Sequence, residues 1–303
     1  MGKVQQKVVI TGAGGFLGKY LASYLASEGD KVYALTLFDP SDDDKKMFFS
    51  SENIVLVKKD IAKDGFDDLP NDIDVVIALA QSPFFREFPD KAKDIFDVNV
   101  AAFAQILQWA NKIKVKKFVY ASSGGVYNDP LAKEYKEDDV INPNISKGYY
   151  QGSKLCGEIL FQNYYSFFET SIILRPFFIY GKTQNKDMFV ARIIDSVING
   201  KEIFLQGKEG LLVNPIYVED VVKVIVKSLE LKNNHIINVG GPDVISLKEI
   251  AEVISKRVQK EPIYKYVDAP PTDCVGNIDK LKKLFDIDLT SFTKGIDLTI
   301  DTK

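Results

Sequence analysis

In "YYQGSK", residues 149–154, a phenol and an ammonium stand four residues apart, Tyr150 and Lys154. On a helix, residues at this spacing share a face, whereas Tyr149 points elsewhere. A phenol beside a cation has its pKa, ordinarily about 10, drawn downward. It becomes a usable proton donor and acceptor near neutrality. The same spacing also occurs on solvated helix faces, so its meaning depends on the rest of the chain. A second chemical feature is Gly12, Gly15 and Gly18 in "TGAGGFLG". Glycines so spaced permit a tight turn and close approach of backbone to a pyrophosphate. A helix starting there adds free N–H donors and positive potential.

The elements around these residues alternate. "KVVIT" (7–11) is a short β-branched run suited to a strand buried on both faces. The glycine turn follows, then a helix from Phe16 to Ser27 with Leu17, Leu21 and Leu25 at four-residue spacing. Further strands are expected at 31–37, 54–60, 74–80, 116–123 and 170–176. A long helix, Lys91 to Lys112, precedes the fifth strand, and the helix with Tyr150 and Lys154 follows it. This alternation predicts an α/β fold, a Rossmann-type doubly wound parallel sheet, with ligands at the carboxyl ends of the strands. After Pro176 the pattern becomes α-rich, with helices at 187–200, 219–231 and 246–259, the last opened by Ser246 and Glu249 as a capping box. The expected division is a dinucleotide-binding domain, 1–176, and a smaller substrate-binding lobe, 177–303, interleaved with it.

Bulk properties narrow the function. The 303 residues carry a formal net charge of −3, with 46% hydrophobic and 27% charged residues. Such a chain has no electrostatic footprint for nucleic acid, and the interrupted basic stretch Lys112–Lys117 does not supply one. No apolar run approaches the length of a membrane span. The start of the chain carries no charged-then-apolar leader, and Gln6 breaks the myristoylation pattern at Gly2. Cys156 and Cys274 form no CxxC, which fits reduced thiols in the cytoplasm. His235, the single histidine, opens "HIINVGG" and reads as a strand-end residue. No metal-ligand cluster is expected.

Taken in order, the motifs resemble those of the extended short-chain dehydrogenase/reductase family, which includes nucleotide-sugar epimerases and reductases. "TGAGGFLG" is similar to its GxxGxxG turn, placing Gly12, Gly15, Phe16, Leu17 and Gly18 against the cofactor. Asp60 and Ile61 resemble the pair that touches adenine. "ALAQS" (78–82) resembles the segment under the cofactor, which implies cofactor contacts for Leu79 and Ala80 and a substrate contact for Ser82. Asn99 in "DVNV" is similar to the family's helix asparagine. "ASSGGVY" (121–127) resembles the serine motif, with Ser123 as the catalytic hydroxyl and Gly124 beside the substrate. "YYQGSK" resembles YxxxK, with Tyr150 and Lys154 at its ends. "LRPFFIYG" (174–181) and "NPIYVEDVV" (214–222) are similar to later signatures; they imply a cofactor contact for Pro176 and substrate contacts for Phe178 and Asn214. The resemblance runs from residue 7 to about residue 285.

The resemblance implies hydride transfer at a carbon bearing oxygen. Tyr150 is the general acid/base, Ser123 holds the reacting oxygen, and Lys154 lowers the phenol pKa and holds the nicotinamide ribose. The cofactor is NAD or NADP: Thr36 stands where an acid would bind the ribose hydroxyls, yet "DPSDDDKK" would repel a 2′-phosphate unless Lys45 or Lys46 reached it. Dehydratases and decarboxylases of the family carry acids after the catalytic hydroxyl, where this chain has Gly124 and Gly125. Oxidation and re-reduction at one carbon, or a single reduction, therefore remain. Phe178 replaces a frequent Asn, and Val213 replaces an Arg that neutralises the substrate diphosphate; Arg192 and Lys208 are possible substitutes. The leading expectation is an epimerase or ketoreductase of a nucleotide-linked sugar. A reductase of another carbonyl compound and a non-enzymatic dinucleotide sensor are the alternatives. A homodimer is also expected: Phe161, Tyr164, Tyr165 and Phe168, with Phe96, Phe103 and Trp109 on the preceding helix, would meet their copies in a four-helix interface.

Overall fold

Strand β1, Lys7–Thr11, opens the fold in the computed structural model, which describes residues 4–127, 129, 132–142, 144 and 148–300; Gly2 lies outside them. Val8, Val9 and Ile10 are fully buried, as a β-branched run between two helical layers requires. Helix α1, Phe16–Ser27, buries Leu21, Ala22, Leu25 and Ala26. Strand β2 is Lys31–Thr36, helix α2 Asp42–Phe48 with its Ser41 cap, and strands β3 and β4 are Ile54–Lys58 and Val75–Ala78. The expected long helix consists of α3, Ala92–Phe96, and α4, Ala102–Lys112, joined through a π-helical turn at Asp97–Ala101. Strand β5 is Lys117–Ala121, helix α5 Tyr149–Gln162, and strand β6 Thr170–Pro176.

The remaining elements are β7 (Ile179–Tyr180), α6 (Phe189–Asn199), β8 (Glu202–Gln206), β9 (Leu212–Val213), β10 (Ile216–Tyr217), α7 (Val218–Ser228), β11 (Asn233–Val239), β12 (Ile245–Ser246), α8 (Leu247–Val258), β13 (Ile263–Val267), α9 (Asp279–Leu284) and α10 (Phe292–Thr299). The capping box on α8 forms as its sequence predicts, with Ser246 and Glu249 each accepting from the other's backbone. His235 lies within β11 and its Nε2 is 2.9 Å from the Lys232 carbonyl.

The main sheet has seven strands in the order β11-β6-β5-β4-β1-β2-β3, and its pairs from β6 through β3 are parallel. The order reverses direction between β1 and β4, the switch point at which such sheets bind ligands. Residues 1–126, 147–174 and 225–236 form one compact unit; residues 127–146, 175–224 and 237–303 form a second. The core of the first unit joins Val9, Val76, Phe118 and Ile173 of the sheet to Phe103, Trp109, Phe161 and Phe168. Those four aromatics, read above as a face for a partner chain, are instead at most 6% exposed within the chain itself. They pack ring against ring, with Phe118 and Phe161 centroids 4.9 Å apart and Phe118 and Phe168 5.3 Å apart. The second unit holds the parallel pairs β7–β10 and β8–β13 and the antiparallel pair β9–β12. Among the described residues no helix is long and apolar enough to cross a membrane.

Candidate active site

The glycine turn sits at the carboxyl end of β1, and its three glycines do different things. Gly12 has φ +71°, and a Cβ there would lie 2.8 Å from the Ala80 backbone. A Cβ on Gly18 would lie 2.3 Å from the Gly12 carbonyl. Both positions are closed to side chains by the fold itself. Gly15 differs: its φ of −76° suits any residue, and a Cβ would meet only the Gly12 carbonyl, at 3.1 Å. The surface above Gly15 is thus kept bare, and no side chain caps the first turn of α1, which Phe16, Leu17 and Gly18 form. A bare turn before uncapped N–H groups fits a dinucleotide pyrophosphate. Thr36, only 2% exposed, packs beside Gly14. Asp60 binds the Ala62 N–H and pairs with Lys63, while Ile61, Ala80 and Asn99 border a small cavity with Thr11 and Tyr120. Leu79 donates its N–H to the Thr11 carbonyl, 3.2 Å.

Tyr150 lies in the first turn of α5, and its hydroxyl donates to Gln81 Oε1 at 2.8 Å. Ser123 Oγ accepts from the Gly125 N–H at 3.1 Å, and Ser123 acts on the phenol to favour its ionised form. The Phe85 ring packs on Tyr150 with centroids 5.1 Å apart, and Tyr149 turns away to stack on Phe88 at 4.8 Å. One turn on, Lys154 is 2% exposed and its Nζ donates to the Ala121 carbonyl at 2.9 Å. The expectation of a lowered phenol pKa needs correcting for the chain alone. Burial raises Tyr150 well above the tyrosine range, with Ser123 acting the other way. Burial also lowers Lys154 to about 8, opposed by Glu158. Desolvation outweighs attraction here because both groups sit in low dielectric and the ammonium points to a carbonyl.

Asn99 and Ser82 are both buried, and they anchor the loop after β4. Asn99 Oδ1 accepts from the Ser82 N–H and Asn99 Nδ2 donates to Ser153 Oγ, each at 2.9 Å. Ser153 in turn donates to the Tyr150 carbonyl at 2.7 Å. Ser82 Oγ bonds Asp94 and accepts from the Phe84 N–H at 3.1 Å. Ser82 is fully buried and directly follows Gln81, whose side chain meets Tyr150. The π-helical turn presents Asn99 to both partners, as such turns often do at functional sites.

Behind Ser123, Gly124 and Gly125 begin a tight 3₁₀ turn. A Cβ on Gly125 would lie 2.9 Å from Gln151 Cγ, and one on Gly148 would lie 2.7 Å from Gln151 Oε1. Gln151 therefore fills the space where an acid after the catalytic hydroxyl would stand. Neither Gln81 nor Gln151 was singled out by sequence. Gln81 lay within "ALAQS", but nothing local marks its partner.

In the second unit, Phe178 adopts φ +48° and packs on Phe189, centroids 4.6 Å apart. Asn tolerates this left-handed region far better than Phe, which gives a physical reason for the family's frequent Asn there. Asn214 is 1% exposed, and its amide clasps the Gly276 backbone, donating at 2.8 Å and accepting at 3.0 Å. Both ends of that amide are occupied within the protein. Val213 is fully buried, while Arg192 and Lys208 are exposed. Pro176 closes β6.

A doubly wound sheet with a glycine turn at its switch point and a Ser–Tyr–Lys group beside it defines a dinucleotide-dependent enzyme of the extended short-chain dehydrogenase/reductase type. Residues 8–240 match the model of the NAD dependent epimerase/dehydratase family, and the chain belongs to that family. It is 25% identical to Protein CapI of Staphylococcus aureus, across 97% of both chains. It is also 25% identical to a UDP-glucuronate 4-epimerase of Thermodesulfobacterium geofontis, across 91% of this chain and 89% of that one. The structure of UDP-glucuronic acid 4-epimerase from Bacillus cereus in complex with NAD superposes with a TM-score of 0.85 at 25% identity, covering 97% of each chain.

Proposed function

We propose that this enzyme oxidises and re-reduces one carbon of a nucleotide-linked sugar, as a 4-epimerase does, with Tyr150 as general acid/base. The observation that carries the reading is the Tyr150 hydroxyl, bonded to Gln81 with Lys154 one turn behind it on α5. NAD, when bound, supplies the reversible two-electron acceptor. Gly12, Gly15, Gly18 and the first turn of α1 would hold its pyrophosphate. Asp60 and Ile61 are proposed for the adenine. Tyr150 takes the proton from the substrate hydroxyl and returns it when the carbonyl is reduced. Ser123 holds that oxygen in reach of the phenol. Gln151 beside Gly125 leaves no acid for β-elimination, which favours epimerisation over water loss.

NAD rather than NADP is supported by charge. Two of the cations near the end of β2 are paired: Lys58 with Asp39 at 2.8 Å and Lys45 with Asp42 at 3.8 Å. The second unit is proposed to hold the substrate, and the enzyme to work as a cytoplasmic homodimer. The test is incubation of the purified enzyme and NAD with UDP-, GDP-, CDP- and dTDP-sugars, with epimers read by proton NMR. A C4 epimer from one of them, with cofactor retained through purification, is the expected result. No product from any, with stoichiometric NADPH oxidation by a simple carbonyl compound, would overturn it. That second reading, a reductase of a non-nucleotide carbonyl, draws on the buried Val213 where a diphosphate-binding Arg would stand.

A further inference from the structure

Tyr150, Ser123 and Lys154 account for the proposed chemistry, yet a further ionisable group is buried behind them. Glu158 stands one turn beyond Lys154 on α5 and is 1% exposed. Ser122, itself 4% exposed and adjacent to Ser123, donates its hydroxyl to the Glu158 carboxylate. The strand end is fixed in turn, since the Ser122 N–H donates to the Leu174 carbonyl at 2.8 Å. Lys154 lies over the Tyr120 ring, 5.2 Å from its centroid, and the Tyr120 hydroxyl donates to the Lys154 carbonyl at 3.2 Å. The contact is close because residue 157 is glycine: a Cβ there would lie 2.3 Å from the Tyr120 hydroxyl oxygen. The inner face of α5 and the end of β5 thus enclose an ammonium and a carboxylate together.

Either charge alone would be costly in such a place. A lone buried ammonium tends to lose its proton and a lone buried carboxylate to gain one, while opposite charges at i and i+4 hold each other ionised. We propose that Glu158 is a positioning residue for the reaction: a buried counter-charge, tied to the strand end through Ser122, that keeps Lys154 protonated behind the acid/base tyrosine. The inference rests on the reading of Tyr150 and Lys154 above.

The electrostatics agree with this geometry. Burial brings Lys154 down to about 8, and Glu158 is the group that opposes the fall. Tyr120, Tyr150 and Cys156 are the other titratable groups around this cluster, and burial first, then Glu158, holds Tyr120 neutral. From the helical stretch packed against α5 come Lys93, Asp94 and Asp97; Lys93 pairs with Asp97, Asp94 is bonded to Ser82, and none of them acts on Lys154. With a pKa near 8, Lys154 is roughly nine-tenths protonated at pH 7, and one further unit of depression would leave about half.

The experiment follows Lys154 by NMR in the full chain labelled at lysine Cε, with the resonance assigned through Lys154→Arg. In folded Glu158→Gln the Lys154 midpoint should fall by about one pH unit or more, a tenfold change. In Ser122→Ala, which keeps the carboxylate, the fall should be smaller. A Lys154 midpoint in Glu158→Gln equal to that of the wild type overturns the proposal. If Glu158→Gln does not fold, the wild type decides: a Glu158 Cδ resonance with an inflection at the Lys154 midpoint supports the coupling, and a flat one overturns it. These midpoints are read without turnover. A Tyr150→Phe enzyme with undiminished activity would sink the reaction scheme while leaving the NMR result standing.

Discussion

In the proposed reaction the chemistry turns on the protonation state of one hydroxyl, that of Tyr150, which donates to Gln81. Tyr150→Phe should lower turnover by ~10²–10⁴-fold and leave NAD affinity by calorimetry nearly unchanged. Tyr149→Phe should lose little, because that ring stacks on Phe88; the reverse pattern would show that the wrong tyrosine has been chosen. Gly15→Val should abolish dinucleotide binding with an unchanged circular dichroism spectrum. The φ at Gly15 suits any residue and a Cβ there would meet only the Gly12 carbonyl, at 3.1 Å, so what the rest of Val would occupy is the place proposed for the pyrophosphate; retained affinity would refute the assignment. Lys154 carries a pH signature. Its folded pKa of about 8 lies below the ordinary lysine value of 10.5, so the unfolded chain binds more protons between those values and stability rises with pH there. The penalty for the charged lysine is fully present below pH 8. Relative to Lys154→Met, the wild type should gain up to about 3 kcal/mol between pH 8 and pH 10.5 in urea unfolding. Two parallel curves would contradict it.

Helix α5 and strand β5 are where these groups become a site, and their close packing has a cause in one residue. A methyl at position 157 would sit inside the Tyr120 hydroxyl, at 2.3 Å from its oxygen, whereas position 152 has nothing within 4 Å. Helix propensity favours Ala over Gly by about 1 kcal/mol at both. At Gly157 overpacking opposes that gain by about 1–3 kcal/mol and also forces the helix off the strand. Gly152→Ala should therefore stabilise the protein by up to about 1 kcal/mol and Gly157→Ala should destabilise it, as read from urea midpoints. Equal effects would mean that the helix does not rest on Tyr120 as described. The π-helical turn before α4 belongs to the same level of organisation: it sets Asn99 between Ser82 and Ser153, and the apolar period of residues 91–112 reads only as one unbroken helix.

Assembly is decided by which apolar residues the fold leaves outside. Phe103, Trp109, Phe161 and Phe168 are core, but Phe96 on α3 remains 48% exposed and Ile159 on α5 54%. A homodimer, as proposed, would cover these two, the helices that carry them being packed against each other. Light scattering at micromolar concentration should give a dimer for the wild type and a monomer for Phe96→Glu with Ile159→Glu. A monomeric wild type removes the dimer, and a dimer indifferent to both charges moves its interface elsewhere.

The strands, the glycine turn and the tyrosine–lysine face were legible in the chain because each is a local matter. A β-branched run, a glycine at a required turn, or two side chains one helical turn apart follow from backbone geometry over a few residues. So Lys7–Thr11, Gly12, Gly15, Gly18, Tyr150 and Lys154 stand where their spacing put them. The partners that give those residues their chemistry were not legible. Gln81 meets Tyr150 across 69 residues, Asn99 meets Ser153 across 54, and Ser122 meets Glu158 across 36. Nor did any local pattern say that Asn233–Val239 completes the main sheet beside β6. Such pairings come from burial: once the sheet and α5 close over the aromatic core, most enclosed polar groups find a partner among whatever the fold has brought near. That requirement acts on the folded molecule, so it chose Gln81 for Tyr150 and buried Glu158 against Ser122, where sequence spacing showed only a helix face.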